Sequence, residues 1–453
     1  MRFVTTRGRA PAASLEFALF DGLAPDGGLY VPESLAPWTA GDIAQLSKLS
    51  LTELAVRVLR PFVSEEIADV ALDELARDAL NFPVPLVAVE PTVYALELFH
   101  GPTLAFKDVG ARVMARVMAA LHDGGDPTTV LVATSGDTGG AVAHAFYQVP
   151  HMRVVVLYPA GRVSPTQEAQ LTMFNGEPGS NVRAYAVDGS FDDCQRLVKA
   201  TFGDDDLLQR VRLTSANSIN IGRLLPQMIY YFHAVAQNLA QRASPTAARG
   251  VSPNVAQGFS PAIISVPSGN FGNLTAGLMA KRAGLPIARF VAATNVNDEV
   301  PAYLATGRFE PRPSIHTIAN AMDVGNPSNF ERMTWLYGGD LDAMRRDIVG
   351  SRHDDDEVRA TIRRVYEERG YLLDPHSAIA YLGLKEHAHG APGIFIATAH
   401  PAKFIEIVGP IIGLTMSQRQ QITPEPLAHA LAQPRRLMPL VGALDAVKAV
   451  ING

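Results

Sequence analysis

The sequence predicts a parallel α/β fold in at least two domains behind a mainly helical N-terminal section. Three observations carry this. At 453 residues the chain exceeds what one hydrophobic core usually serves. Residues 1–92 read as a turn-rich start followed by helical patterns. From Tyr94 onward, short β-branched runs alternate with amphipathic helices, the pattern of parallel strands covered on both faces.

In the first section, 21–32 is loop chemistry around a short strand. Helical patterns follow at 42–48, 52–59 and 65–80. The second is expected to end at Pro61 and the third to begin behind a cap at Ser64. Strands are expected at 94–99, 129–133, 153–158, 182–187, 262–266, 289–294 and 393–398. Helices are expected at 140–147, 166–174, 191–202, 218–239 (interrupted near Pro226), 274–283, 355–369 and 378–386, with another near the end. Residues 240–261, rich in Ala, Ser, Pro and Gly, read as a mobile surface insertion.

Composition narrows the function. A chain 47% hydrophobic and 19% charged is ordinary for a globular enzyme. The net charge of -6 is spread without a basic stripe, which argues against nucleic acid as a partner. The one cysteine, Cys194, cannot form an internal disulfide, so a reducing, cytoplasmic setting is expected. No secretory signal is read at the N-terminus, and no run is long enough for a bilayer. The aspartate runs 204–206 and 354–356 read as helix-capping charges, and His387 and His389 as solvated. No metal site is expected.

Four junctions carry the candidate chemistry. Lys107 stands where the loop after strand 94–99 enters a helix whose apolar face holds Val109, Val113, Val117 and Leu121. A helix N-terminus and an apolar setting both disfavour the ammonium form, and so favour an amine able to attack carbonyls. Two strand–loop–helix junctions, Thr134-Ser135-Gly136-Asp137-Thr138-Gly139-Gly140 and Pro267-Ser268-Gly269-Asn270-Phe271-Gly272-Asn273, have the glycines to turn several N–H groups toward one anion. Thr398 ends a strand where its hydroxyl could meet a ligand or cap the next turn. Asn217, Ser218, Asn220 and Arg223 form a polar group before a helix, either a cap or a phosphate site.

These stretches resemble the threonine synthase family, pyridoxal-phosphate enzymes of the tryptophan-synthase-β fold type (PLP fold type II). His100-Gly101-Pro102-Thr103-Leu104-Ala105-Phe106-Lys107-Asp108 is similar to the family's cofactor-lysine segment. The segments at 133–139, 215–220, 266–272, 293–298 and 398–404 resemble the others in order, as does Gly28-Leu29-Tyr30-Val31-Pro32. The resemblance implies two open parallel-sheet domains with flanking helices, a large cofactor domain at 93–128 and 221–453 and a small one at 129–220. It implies that Lys107 holds pyridoxal 5'-phosphate as a Schiff base. Gly269, Asn270, Phe271 and Gly272 would cradle the phosphate, and Thr398 would bond the ring nitrogen. Thr134, Ser135, Asp137, Thr138, Asn217 and Arg223 are the implied substrate contacts. The implied enzyme is a cytoplasmic lyase, monomer or homodimer, that converts O-phospho-L-homoserine and water to L-threonine and phosphate, the last step of threonine biosynthesis. A dehydratase or phospho-lyase of the same fold type, acting on serine, threonine or an O-phospho amino acid, is the alternative.

Overall fold

A computed structural model describes residues 1–243 and 262–452. Most of the expected insertion at 240–261 lies outside the described residues; 240–243 end a helix. In chain order the strands are β1 (Phe3–Thr5), β2 (Tyr30–Pro32), β3 (Leu86–Glu90), β4 (Val93–Glu97), β5 (Thr128–Ala133), β6 (Met152–Pro159), β7 (Val182–Val187), β8 (Arg212–Thr214), β9 (Ala262–Pro267), β10 (Ile287–Thr294), β11 (Ile348–Arg352), β12 (Gly393–Ala397) and β13 (Met438–Leu440).

They form two main sheets. The larger has six strands in the order β11-β10-β9-β12-β4-β3, parallel except that β3 runs against β4. The smaller has five parallel strands in the order β13-β7-β6-β5-β8. Every residue of β5 and of β12 is buried, as expected for strands covered on both faces. β1 and β2 form a separate antiparallel pair at the N-terminus. Among the described residues no helix is long and apolar enough to cross a membrane.

The two sheets share out the chain less simply than a division at single boundaries. β3, within the expected N-terminal section, is an edge strand of the large sheet. β13, within the segment assigned to the large domain, adds to the small sheet beside β7. The helix Leu444–Asn452 follows it there, and Arg153 of β6 donates to the carbonyls of Val450 and Ile451 at 2.7 and 2.5 Å.

Most helices fall where their patterns predict, with local corrections. The helix Leu51–Val63, started by a Ser50–Glu53 capping box, runs through Pro61. Proline there removes one bond near the C-terminal end, and burial of Phe62 and Val63 offsets it. Ser64 closes this helix instead of capping the next, which begins at Asp69. The segment before Ala243 is a short helix Ile221–Leu224, one tight turn through Pro226, and the helix Met228–Ala243. Asp354 and Asp204 do cap helices; Asp204 also pairs with Lys448. His387, expected to be solvated, donates from Nε2 to Gly350 O at 3.1 Å.

The large sheet's topology fixes where chemistry can occur. β9, β12 and β4 are neighbours and parallel. Their C-terminal ends deliver the 268–272 loop, Thr398 and the 98–107 loop to one edge. β5 and β8, neighbours in the small sheet, deliver 134–140 and 215–220. Ligands in open parallel sheets bind beyond these strand ends.

Candidate active site

Lys107 is the first residue of the helix Lys107–Leu121. The segment before it is fastened to the end of β12: Leu98 N–H donates to Ala397 O at 2.9 Å, Phe106 N–H to Thr398 O at 2.8 Å, and His400 N–H to Leu104 O at 3.0 Å. Thr398, buried, and Lys107 are thus held side by side. Leu104 adopts a left-handed φ of 59° in this turn, an unusual conformation for a branched residue and a sign that the segment is over-determined by its surroundings. Behind it, Asp108 accepts from Thr103 N–H at 2.9 Å and from Thr103 Oγ1 at 2.6 Å.

The Lys107 side chain keeps 16% of its surface exposed. Burial depresses its basicity below that of an ordinary lysine. The Asp137 carboxylate opposes this; Lys403 and Arg223 reinforce it. Asp137 Oδ2 lies 4.0 Å from Lys107 Nζ, while Asp137 Oδ1 accepts from Lys403 Nζ at 2.9 Å and Gln167 Nε2 at 3.2 Å. Burial alone would raise the Asp137 pKa, but the two lysines outweigh it and hold the carboxyl well below the usual range.

The 268–272 loop follows β9. Gly269 packs so closely that a Cβ there would sit 2.8 Å from Ala321 O and Met322 Cα. Phe271 takes a left-handed φ of 58° just before the helix Gly272–Arg282. Among the described residues, no protein acceptor takes the N–H groups of Gly269, Asn270, Phe271 or Gly272. The Asn270 side chain is pinned instead: Nδ2 donates to Ser218 Oγ at 3.0 Å, and Oδ1 accepts from Ser328 N–H and Oγ at 2.7 and 2.9 Å. Asn329 Nδ2 donates to Asn270 O at 3.1 Å, and the buried Arg332 donates to Asn329 Oδ1, Ser218 O and Tyr30 O.

The 134–140 loop is built differently. Thr134 Oγ1 accepts from Gly136 N–H and Gly139 N–H, both at 2.9 Å. Gly136 has φ 140°, and any side chain there would overlap the Gln167 carboxamide. Ser135 and Thr138 are half-buried. Asn217 Nδ2 donates to Ala133 O at 3.0 Å. Arg223 is buried and donates to Ala216 O at 2.8 Å and Lys107 O at 3.5 Å, and burial lowers its pKa to about 10. Thr134 and Asn217 therefore spend their polar groups on the protein, and Arg223 spends Nη1 and Nη2 there, its buried Nε having no hydrogen-bond partner among the described residues.

The sequence reading did not single out Lys403, Gln167 or the buried Asp374–His376 pair. His376 Nδ1 lies 2.7 Å from Asp374 Oδ2, and its Nε2 accepts from Ala321 N–H at 3.2 Å, behind Gly269. Lys403 lies in the 398–404 segment, where nothing in its local sequence marks it as buried.

A depressed amine, open amides at a helix start and a strand-end hydroxyl fit the aldehyde, phosphate and ring nitrogen of pyridoxal 5'-phosphate. The class so defined is a pyridoxal-phosphate-dependent enzyme, and residues 80–397 match the model described as pyridoxal-phosphate dependent enzyme. Residues 2–80 match that for the threonine synthase N terminus, and 377–451 that for the threonine synthase C-terminal region. Threonine synthase from Haemophilus influenzae is 45% identical, covering 88% of each chain; that from Escherichia coli is 43% identical, covering 93% of this chain and 94% of its own. The crystal structure of the Escherichia coli enzyme aligns with TM-score 0.88 at 40% identity, over 100% of this chain and 99% of that one. A structure titled PLP-bound threonine synthase from Brucella melitensis aligns with TM-score 0.88 at 37% identity, over 100% and 98%. The chain belongs to the threonine synthase family.

Proposed function

We propose that Lys107, the Gly269–Gly272 loop and Thr398 hold pyridoxal 5'-phosphate, by its aldehyde carbon, phosphate and ring nitrogen respectively. The enzyme is a carbon–oxygen lyase that converts O-phospho-L-homoserine and water to L-threonine and phosphate, the last step of threonine biosynthesis. The observation that carries the site assignment is the half-buried, weakly basic Lys107 amine beside Thr398, with an N–H loop left open on the neighbouring strand. When bound, the cofactor ring accepts the negative charge left on substrate carbon as protons depart.

The chain's own groups do the rest. Lys107, whose burial favours the neutral amine, takes the Cα proton and later returns one. The amides of 269–272 and the dipole of the helix Gly272–Arg282 favour the cofactor's phosphate. A hydroxyl at Thr398, unlike a carboxylate, leaves the ring nitrogen without a negative partner. Ser135 and Thr138 offer hydroxyls and loop amides to the substrate carboxylate. Thr134, Asn217 and Arg223 shape that loop from behind. A cytoplasmic setting is supported by the single, buried Cys194.

The test is direct. The purified protein should be yellow and should form threonine and free phosphate in equal amounts from O-phosphohomoserine. A keto acid without threonine would overturn the reaction in favour of elimination alone.

A further inference from the structure

Lys403 is fully enclosed by protein, yet the reaction as described gives it no task. It lies in the tight turn Pro401–Phe404 after β12, with 0% of its side chain exposed. Its Nζ donates to Thr103 O at 2.7 Å and to Asp137 Oδ1 at 2.9 Å. Gln170 Nε2 also donates to Thr103 O, at 3.2 Å. With no exposed surface, this amine acts through its two partners, of which Asp137 is the charged one and the one that faces Lys107.

Asp137 stands between two amines. One oxygen is engaged at close range by Lys403 and Gln167; the other faces Lys107 at 4.0 Å, beyond hydrogen-bond distance. One carboxylate offsets one ammonium, and two ammoniums flanking it repel each other. The enclosed amine has two fixed acceptors, whereas the half-buried one has none at that range. The proton that is given up therefore belongs to Lys107. The other charged groups facing Lys107 are Arg223, which acts with Lys403, and Asp374, which acts with Asp137.

We propose that Lys403 is a positioning residue for Lys107: by occupying Asp137 as its fixed counter-charge, it leaves Lys107 the amine that is unprotonated when the cofactor arrives. The proposal rests on Lys107 being the cofactor-bearing amine, but its test does not need turnover. The cofactor-stripped full-length protein is acylated briefly with acetic anhydride across a pH series. Modification of the Lys107 peptide, read by mass spectrometry, gives the pH at which that amine is half protonated. Lys403→Met should raise this midpoint by about one pH unit or more, because a repelling charge is lost and Asp137 turns to Lys107. Lys403→Arg should stay near the wild-type midpoint. Asp137→Asn should move it the other way, downward.

In the holoenzyme, the pH profile of kcat for Lys403→Met should shift upward in parallel, with KM less affected. Where Lys403→Met does not fold, Asp137→Asn is compared with Asp137→Asn/Lys403→Met, which leaves no buried carboxylate unpaired; the double variant should have the higher midpoint. A Lys107 midpoint unchanged on removal of the Lys403 charge would overturn the proposal and leave Lys403 a packing residue. Absence of threonine formation with the midpoint shifts intact would instead overturn the reaction and not this role.

Discussion

Two glycine-rich loops that look alike in sequence spend their amides differently. The 134–140 loop spends two of its N–H groups on its own Thr134, and its acidic residue sinks between two lysines. In the 268–272 loop only Ser268 N–H is spent, on Ala293 O, while Gly269 to Gly272 keep theirs, and the polar side chain of Asn270 is tied outward to Ser218 and Ser328. Among the described residues, the first keeps the amides of Ser135, Asp137 and Thr138 open beside a fixed charge arrangement; the second keeps all four from Gly269 to Gly272 open and is braced from behind. Glycine content alone says that the backbone can curl. Whether the amides are left for a ligand depends on what the neighbouring side chains take.

The largest effect lies outside either loop and sets the scale. Lys107→Ala should lower kcat by at least about 10²-fold and by about 10⁴-fold where its acid–base work is fully lost. It should also abolish the yellow colour while circular dichroism stays native; full activity would refute the site. The next pair tests the division of labour. Gly269→Ala drives a methyl into Ala321 and Met322 and should raise the cofactor Kd about 10- to 100-fold, or roughly 1.4–2.8 kcal/mol. Gly136→Ala collides with Gln167 and should raise KM for substrate while leaving the cofactor Kd within about threefold, under roughly 0.7 kcal/mol. Equal losses of cofactor affinity in both would break the comparison.

Thr134→Val should then cost about 2–3 kcal/mol of stability in urea denaturation, because two buried N–H groups lose their acceptor. Ser218→Ala, on the cradle side, should cost about 1 kcal/mol, since it removes one bond to Asn270.

A last effect, seen only on acidification, is shared by both regions. His144, in the helix after the first loop, and His400, beside Thr398, are each pushed down by burial to about 4. A histidine whose folded pKa lies below its unfolded value costs stability as pH falls, because the unfolded chain takes the proton first. The loss begins near pH 6.5 and is complete near the folded value, about 4. His144→Gln and His400→Asn should each flatten that acid limb by roughly 2–3 kcal/mol between about pH 7 and 4.

What could be seen in the sequence was whatever is local. Buried strands such as β12 announce themselves as unbroken apolar runs, and Lys107 stood out because its own neighbours made it odd. Lys403 did not, because its partners, Thr103 and Asp137, are brought to it only by the sheet. Pro61 misled for the same reason: the rule that proline ends a helix is local, and the burial of Phe62 and Val63 is not. β13 is three residues long, too short to declare a period, and owes its place to an edge of β7 built far earlier in the chain.

That last strand has a consequence for the order in which the molecule can assemble. Every strand of the six-stranded sheet precedes β13 in the chain, so on the ribosome the large sheet can be complete while β7 still presents bare backbone. An uncovered edge of this kind invites pairing with another chain. The nascent protein's period of greatest exposure to aggregation therefore falls late, after the cofactor cradle has formed, and it ends only when β13 docks beside β7.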